Sequence, residues 1–171
     1  MMTLLLDVAR LMIFPAVMAF AASSDFFTMT ISNRISLILV AGFVALAVGT
    51  GMPVGEMLDH ASAGGLVLAV TFTLFLLKQV GGGDAKLAAA TALWLGWAHL
   101  FDYLLYASLL GGVLTLALLE FRQFALPRML IGKVWAERLH KPGGRVPYGI
   151  ALAISAMVVY PSTAWMQALG Q

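Results

Sequence analysis

Two aspartates beside small residues are the side chains in this sequence best suited to chemistry. Asp25 follows two serines at the end of one apolar stretch, and Asp84 follows three glycines at the start of another. A charged side chain at membrane depth costs about 3 kcal/mol or more, so an intramembrane carboxylate is a functional candidate. If one carboxylate is ionised it can take a proton from water, while a protonated neighbour polarises a carbonyl. The pair therefore predicts hydrolysis by an activated water molecule.

The glycines before Asp84 are Gly81, Gly82 and Gly83. Because they lack side chains, a peptide backbone could approach Asp84 closely and the loop could adopt positive φ angles. Three glycines before a helix could instead cradle a phosphate, although the spacing matches neither phosphate-binding fingerprint. Taken singly, Asp25 could be a helix-end carboxylate facing water and Asp84 an N-cap. Their occurrence at one membrane face is what favours a shared site.

The elements that must position this pair are apolar helices. Of the 171 residues, 61% are hydrophobic and 11% are charged, against roughly a quarter charged in a soluble domain. A bilayer of ~30 Å is crossed by about 20 helical residues. We therefore predict an all-α, polytopic integral membrane protein in which residues 1–171 form a single transmembrane domain. About six transmembrane helices are expected, at approximately 3–24, 35–50, 61–78, 85–98, 103–120 and 147–166.

The basic residues predict the orientation, because cytoplasmic loops retain positive charge. All but one of the ten Lys and Arg residues fall on one predicted side: Arg34, Lys78, Lys86, Arg122, Arg128, Lys133, Arg138, Lys141 and Arg145. The opposite loops are expected to carry Glu56, Asp59 and Asp102. This bias places Asp25 and Asp84 at the cytoplasmic boundary and both termini outside. The exception, Arg10, is expected to pair with Asp7 one helical turn away.

The basic cytoplasmic loop at about 121–146 is the largest predicted extramembrane element. Its apolar residues recur at helical spacing between basic ones, which indicates a basic amphipathic helix on an anionic leaflet; a plain surface connector is the alternative. Trp94, Trp97 and Trp165 are interpreted as interfacial belt residues. The absence of cysteine excludes disulfides and a cysteine nucleophile. The net charge of +2 gives no indication of nucleic-acid binding, and the three histidines, in separate segments, predict no metal site.

Three motifs, in order, resemble those of the type IV prepilin peptidases. The stretch from Asp25 to Arg34 resembles a first motif in which Asp precedes a basic-rich turn and Ile-Pro-Asn. The stretch Gly81-Gly82-Gly83-Asp84-Ala85-Lys86 matches the second, Gly-x-Gly-Asp followed by Lys, and Val146-Pro147-Tyr148-Gly149 resembles the closing Pro-Tyr-Gly. Ser32 replaces the usual proline, and residues 26–30 lack the usual basic residues. These departures concern the turn's substrate contacts and leave both aspartates in place.

The resemblance implies a membrane aspartyl endopeptidase that removes the short basic leader from prepilins or pseudopilins. Asp25 and Asp84 would be catalytic, and the supporting or substrate-binding residues would be Gly81, Gly82, Gly83, Lys86 and Asn33. Lys86 could equally be a basic anchor at the lipid headgroups, and Asn33 could simply form the turn. No metal or cofactor is implied. The expected location is the bacterial inner membrane, with the site facing the cytoplasm and the pilus assembly machinery as a further candidate partner.

Longer members of that family add a cytoplasmic domain, often with paired cysteines, linked to N-methylation of the processed pilin. This sequence resembles the short, peptidase-only branch associated with tight-adherence (Flp-type) pili, so methyltransferase activity is not expected.

Three other functions share some of these sequence features. A small proton- or cation-coupled transporter could use the same two aspartates, but it would need carboxylates along a path between both faces. An inactive assembly scaffold would not need to retain both acids. Presenilin-like proteases share the second motif, but they have a Tyr-Asp pair where Ser24 precedes Asp25 here.

Overall fold

The computed structural model describes residues 2–169, which are almost entirely helical and contain no β-strand in that range. The α-helices are α1 (Met2–Thr28), α2 (Asn33–Gly49), α3 (Val54–Leu76), α4 (Gly82–Phe121), α5 (Val134–His140), α6 (Tyr148–Val159) and α7 (Ala164–Gln167), with 3-10 turns at Arg128–Leu130 and Tyr160–Ser162. Three of them, α1, α3 and α4, are apolar and long enough to cross a membrane, while α2 and α6 are shorter and apolar. The predicted class, an all-α polytopic membrane protein, is confirmed.

Helix α4 reverses direction at Gly96. Its φ of 64° and ψ of −176° are non-helical and lie in a region that only glycine adopts readily. Ala107 nevertheless lines the same cavity as Ala88, although a straight helix would hold them roughly 28 Å apart. The side chain of Tyr103 likewise lies beside Thr91. The two arms, 82–95 and 97–121, therefore pack against each other as a helical hairpin.

This hairpin corrects the predicted boundaries. The arms correspond to the helices expected at 85–98 and 103–120, but the connection is one glycine rather than residues 99–102. Asp102 consequently lies in a helical arm and not in a loop. Glu56 and Asp59 also lie in a helix, because α3 begins at Val54 and not near residue 61.

An aromatic cluster forms the core at the end of the molecule away from the two aspartates. Trp94 is fully buried, its Nε1 donates to the Leu39 carbonyl at 2.8 Å, and its ring centroid lies 5.1 Å from that of Phe14. Trp165 is also buried and donates to the Trp94 carbonyl at 3.0 Å. The prediction that Trp94 and Trp165 are interfacial belt residues is therefore wrong. Trp97 is half exposed.

The predicted pair at the start of α1 is confirmed. Arg10 Nη1 lies 3.1 Å from Asp7 Oδ1 and also donates to the carbonyl of Ala168 at 3.2 Å. The Tyr160 hydroxyl donates to the Arg10 carbonyl at 2.8 Å. These bonds tie α1 to the C-terminal turns.

The segment 121–146 is not one amphipathic helix. Pro127, which has no N–H to donate, precedes a short 3-10 turn, and Gly132 has a φ of 84°, so only the seven-residue α5 is α-helical. Helix α5 packs on the end of α1, where Trp135 lies 5.2 Å from Phe26 between ring centroids. The segment is a connector folded onto the helices, as the alternative interpretation had it.

Candidate active site

Asp25 lies in the last turn of α1 and is buried, with 5% of its surface exposed. The helix continues to Thr28, four residues beyond the predicted end, so Asp25 is a helical residue. Its Oδ2 accepts a hydrogen bond from the main-chain N–H of Gly149 at 2.7 Å. The interpretation of Asp25 as a helix-end carboxylate facing water is therefore wrong.

Gly149 is the site residue that the sequence analysis did not select. It lies in the first turn of α6 after Pro147, where main-chain N–H groups have no partner inside the helix. A Cβ at this position would lie 2.8 Å from Asp25 Oδ2 and 2.6 Å from Ile31 Cδ1. Only glycine lets the α6 backbone approach Asp25 this closely. The closing Pro-Tyr-Gly motif was the available signal, but it was used only for family resemblance.

Asp84 lies in the first turn of α4 and is partly buried. The N-cap of this helix is Gly81, so the interpretation of Asp84 as the N-cap is wrong. Its side chain lies over Gly81, because a Cβ added to Gly81 would lie 2.5 Å from Asp84 Oδ2. The carboxylate therefore lies against the positive end of the helix dipole.

Each of the three glycines before Asp84 allows a close contact. Gly81 accommodates the Asp84 carboxylate itself, Gly82 lies against the Phe75 ring, and Gly83 lies against Ile31, whose Cβ would be 2.9 Å from an added methyl group. The expected close approach is thus used by the protein's own side chains, which bring α3 and the turn after α1 against the start of α4.

The structure brings Asp25 and Asp84 to one cavity of about 1090 Å³. The two carboxylates interact electrostatically, and Asp84 also interacts with the guanidinium group of Arg145. The other polar lining includes Lys78 and Gln79. The apolar lining includes Ile31, Phe75, Leu104, Ala107 and Leu152. Two carboxylates that line one space large enough for a peptide segment can activate water against an amide bond.

Lys86 and Asn33 are brought together, but outside this cavity. Lys86 Nζ donates to Asn33 Oδ1 at 2.8 Å, and both side chains are exposed. Neither residue lines the cavity. The bond joins the first turn of α4 to the first residue of α2, so it positions Asp84 relative to the turn after α1. The N-cap of α2 is Ser32, whose Oγ accepts from the Arg34 N–H.

Arg145 and Tyr148 also line the cavity, although the sequence did not assign them to the site. The Arg145 carbonyl accepts a hydrogen bond from Arg122 at 2.9 Å, which fixes the backbone just before α6. The Tyr148 hydroxyl lies 3.0 Å from Thr115 Oγ1, and its ring lies against Gly111. Tyr148 therefore packs α6 onto the second arm of α4 and holds Gly149 at Asp25.

Two of the three histidines, His60 and His140, bond to the main chain. His60 Nδ1 lies 2.8 Å from the Leu93 carbonyl, and His140 Nε2 lies 2.7 Å from that of Phe124. Between residues 2 and 169, no group of three or more His, Cys, Asp or Glu side chains is arranged to hold a metal ion.

Comparison with known families identifies the family of this chain. Residues 12–116, which include both aspartates, match the type IV leader peptidase family. The chain belongs to that family. The predicted resemblance to this family is thus confirmed.

Curated relatives in this family are longer proteins. The chain is 30% identical over 139 residues to the prepilin leader peptidase/N-methyltransferase of Aeromonas salmonicida (strain A449), covering 78% of this chain and 42% of the relative. The protein of the same name from Aeromonas hydrophila is 32% identical over 124 residues, covering 70% and 34%. The chain therefore spans less than half the length of these relatives. No solved structure matches it.

Proposed function

We propose that this member of the type IV leader peptidase family is a membrane aspartyl endopeptidase that removes the leader from prepilins or pseudopilins. The observation that carries the proposal is the meeting of Asp25 and Asp84, 59 positions apart in sequence, at one cavity. Family membership supports the reaction class, and the relatives' names support the substrate class. The transporter alternative receives no support from the comparisons.

The proposed reaction uses one water molecule held between the carboxylates. The ionised aspartate removes a proton from water as the oxygen attacks the scissile carbonyl, and the protonated aspartate donates a hydrogen bond to the carbonyl oxygen. A tetrahedral intermediate results. Its C–N bond then breaks, the nitrogen takes the proton, and the two peptide fragments leave. The Gly149 N–H holds Asp25 Oδ2, which leaves Oδ1 to act on water or substrate.

The cavity lining suits a substrate with a short leader and an apolar helix. Leu104, Ala107 and Leu152 give the cavity an apolar wall against which an apolar segment can pack. With the basic segments on the cytoplasmic side, a leader still in the cytoplasm would reach the site. We place the protein in the bacterial inner membrane on this basis.

The remaining residues support the site in this proposal. Lys86 and Asn33 hold the start of α4 against that of α2, and Gly81, Gly82 and Gly83 keep the turn compact. The peptidase-only branch, the lack of methyltransferase activity and an association with pilus assembly machinery remain expectations from the resemblance.

The test is co-expression with a candidate prepilin, followed by leader removal on a gel. Asp25→Asn and Asp84→Asn should each abolish cleavage while the protein remains inserted in the membrane. Asp102→Asn is the matched control, because this acid is exposed in the second arm of α4 and does not line the cavity. It should cleave normally. Undiminished cleavage by either dyad variant would refute the proposal.

A further inference from the structure

Lys78 has a backbone conformation that a lysine adopts at a cost. Glycines aside, only Met29 and Lys78 among the described residues have positive φ, and that of Lys78 is 60°. Its N–H donates to the Phe75 carbonyl and the next N–H donates to that of Leu74, both at 2.9 Å. These two bonds form the helix-ending motif in which glycine usually occupies this position, because a Cβ crowds the backbone there.

Lys78 is exposed and is among the residues that line the cavity containing both aspartates. Within residues 2–169, its ammonium group has no hydrogen-bond or ion-pair partner. Asp25 accepts from Gly149, and Asp84 interacts with Arg145, so neither acid depends on Lys78. A glycine at position 78 would stabilise this helix end at least as well as lysine does. The lysine side chain therefore has no role inside the protein that offsets its backbone cost.

An unpartnered cation at the cavity favours an anionic group on whatever enters it. Lys78 follows α3, and Arg145, the other cation of the described lining, precedes α6. Apart from the two aspartates, this lining contains no acid. A carboxylate on the substrate would pair with Lys78 without displacing any bond of the protein.

We propose that Lys78 is a substrate-binding residue whose ammonium group binds an acidic side chain of the prepilin close to the cleaved bond. The inference rests on the proposed function and adds a specificity contact to it. An anionic lipid headgroup near Lys78 is the other possible source of a negative charge, and the test below distinguishes it from the substrate.

Two variants separate the charge of Lys78 from its backbone strain. Lys78→Met keeps a long side chain in the same conformation and removes the charge, whereas Lys78→Gly also relieves the strain. We expect both to lower kcat/KM by about threefold to tenfold, mainly through KM. The melting temperature of Lys78→Gly should equal or exceed that of the parent. A lower melting temperature in Lys78→Gly would contradict the backbone argument and overturn the inference.

The partner is identified with amide variants of the prepilin, each replacing one Asp or Glu with Asn or Gln. One of them should reproduce the loss with the parent enzyme and add no further loss with Lys78→Met, because both changes remove the same contact. Additive losses for every prepilin variant, or parental cleavage by both Lys78 variants, would overturn the inference.

Varying the lipid composition tests whether Lys78 binds the substrate or a lipid headgroup. The measurements are made in vesicles of neutral phosphatidylcholine and in vesicles that also contain an anionic lipid. A loss in both kinds of vesicle supports the substrate contact, and a loss confined to anionic vesicles assigns Lys78 to the lipid and overturns it. Asp84→Asn is assayed alongside. Cleavage by that variant would refute the proposed function itself, whereas an inactive Asp84→Asn with parental Lys78 variants would refute this inference alone.

Discussion

Replacing Gly149 with alanine tests the geometry at Asp25 with one added methyl group. The new Cβ would lie 2.8 Å from Asp25 Oδ2 and 2.6 Å from Ile31 Cδ1. Ordinary carbon contacts begin at about 3.5 Å, so the carboxylate or the start of α6 must move by roughly 0.5 to 1 Å. That movement also lengthens the 2.7 Å hydrogen bond from the Gly149 N–H.

The size of the effect follows from the bond and the displacement. A hydrogen bond to a charged group contributes about 1.5–3 kcal/mol, and each 1.4 kcal/mol corresponds to a factor of ten in rate. A misplacement of about 1 Å can by itself cost about a hundredfold. We therefore expect Gly149→Ala to lower kcat by about 10- to 100-fold, with a smaller change in KM.

The assay is cleavage of a purified prepilin by reconstituted enzyme. Gly112→Ala is the matched control, because a Cβ there meets nothing within 4 Å and alanine is favoured over glycine in a helix. It should retain full activity. Parental kcat in Gly149→Ala would refute the claim that this glycine positions Asp25. A loss of kcat matched by an equal loss of folded protein would also refute it.

Three further changes have expected outcomes. Replacing Lys86 or Asn33 with alanine should lower cleavage only a few-fold. A double-mutant cycle should give a coupling free energy below about 1 kcal/mol because both side chains are exposed. A larger coupling would contradict the interpretation of this bond as a weak surface contact. Gly96→Ala should prevent stable folding, since it adds backbone strain and places a Cβ 2.9 Å from the His60 ring, which the yield of monodisperse protein in detergent would report. Trp94→Ala should lower stability by about 3–5 kcal/mol, measured by thermal or denaturant unfolding; unchanged stability would contradict its full burial.

The fold class could be predicted from the sequence, and the two aspartates of the proposed catalytic pair could be selected from it, because both depend on strong local signals. Apolar stretches of bilayer length indicate helices whatever their neighbours are. Asp25 and Asp84 are carboxylates next to apolar segments, which is rare enough to be informative by itself. The glycines before Asp84 were predicted to permit close approach, and they do so toward the protein's own Phe75 and Ile31.

What the sequence could not predict depends on contacts between distant segments. No local pattern tells that Gly149 donates to Asp25, 124 positions away. Nor does composition distinguish a tryptophan at the membrane interface from one in the core, and Trp94 is in the core because it bonds to the Leu39 carbonyl. The reversal at Gly96 was missed because a single glycine inside an apolar run is also tolerated in a continuous helix.

The reversal at Gly96 also determines how thick the membrane can be at the site. The first arm of α4, residues 82–95, rises only about 21 Å, and the 12-residue α6 rises about 18 Å. Both are shorter than the ~30 Å hydrocarbon layer. The bilayer beside these helices must therefore become thinner, or headgroups and water must reach the helix ends below the usual membrane surface. Asp84 lies at the start of the first of these short helices and Asp25 is bonded to the start of the second, so both aspartates lie beside such a depression. Cleavage rate should therefore depend on the acyl-chain length of the surrounding lipid.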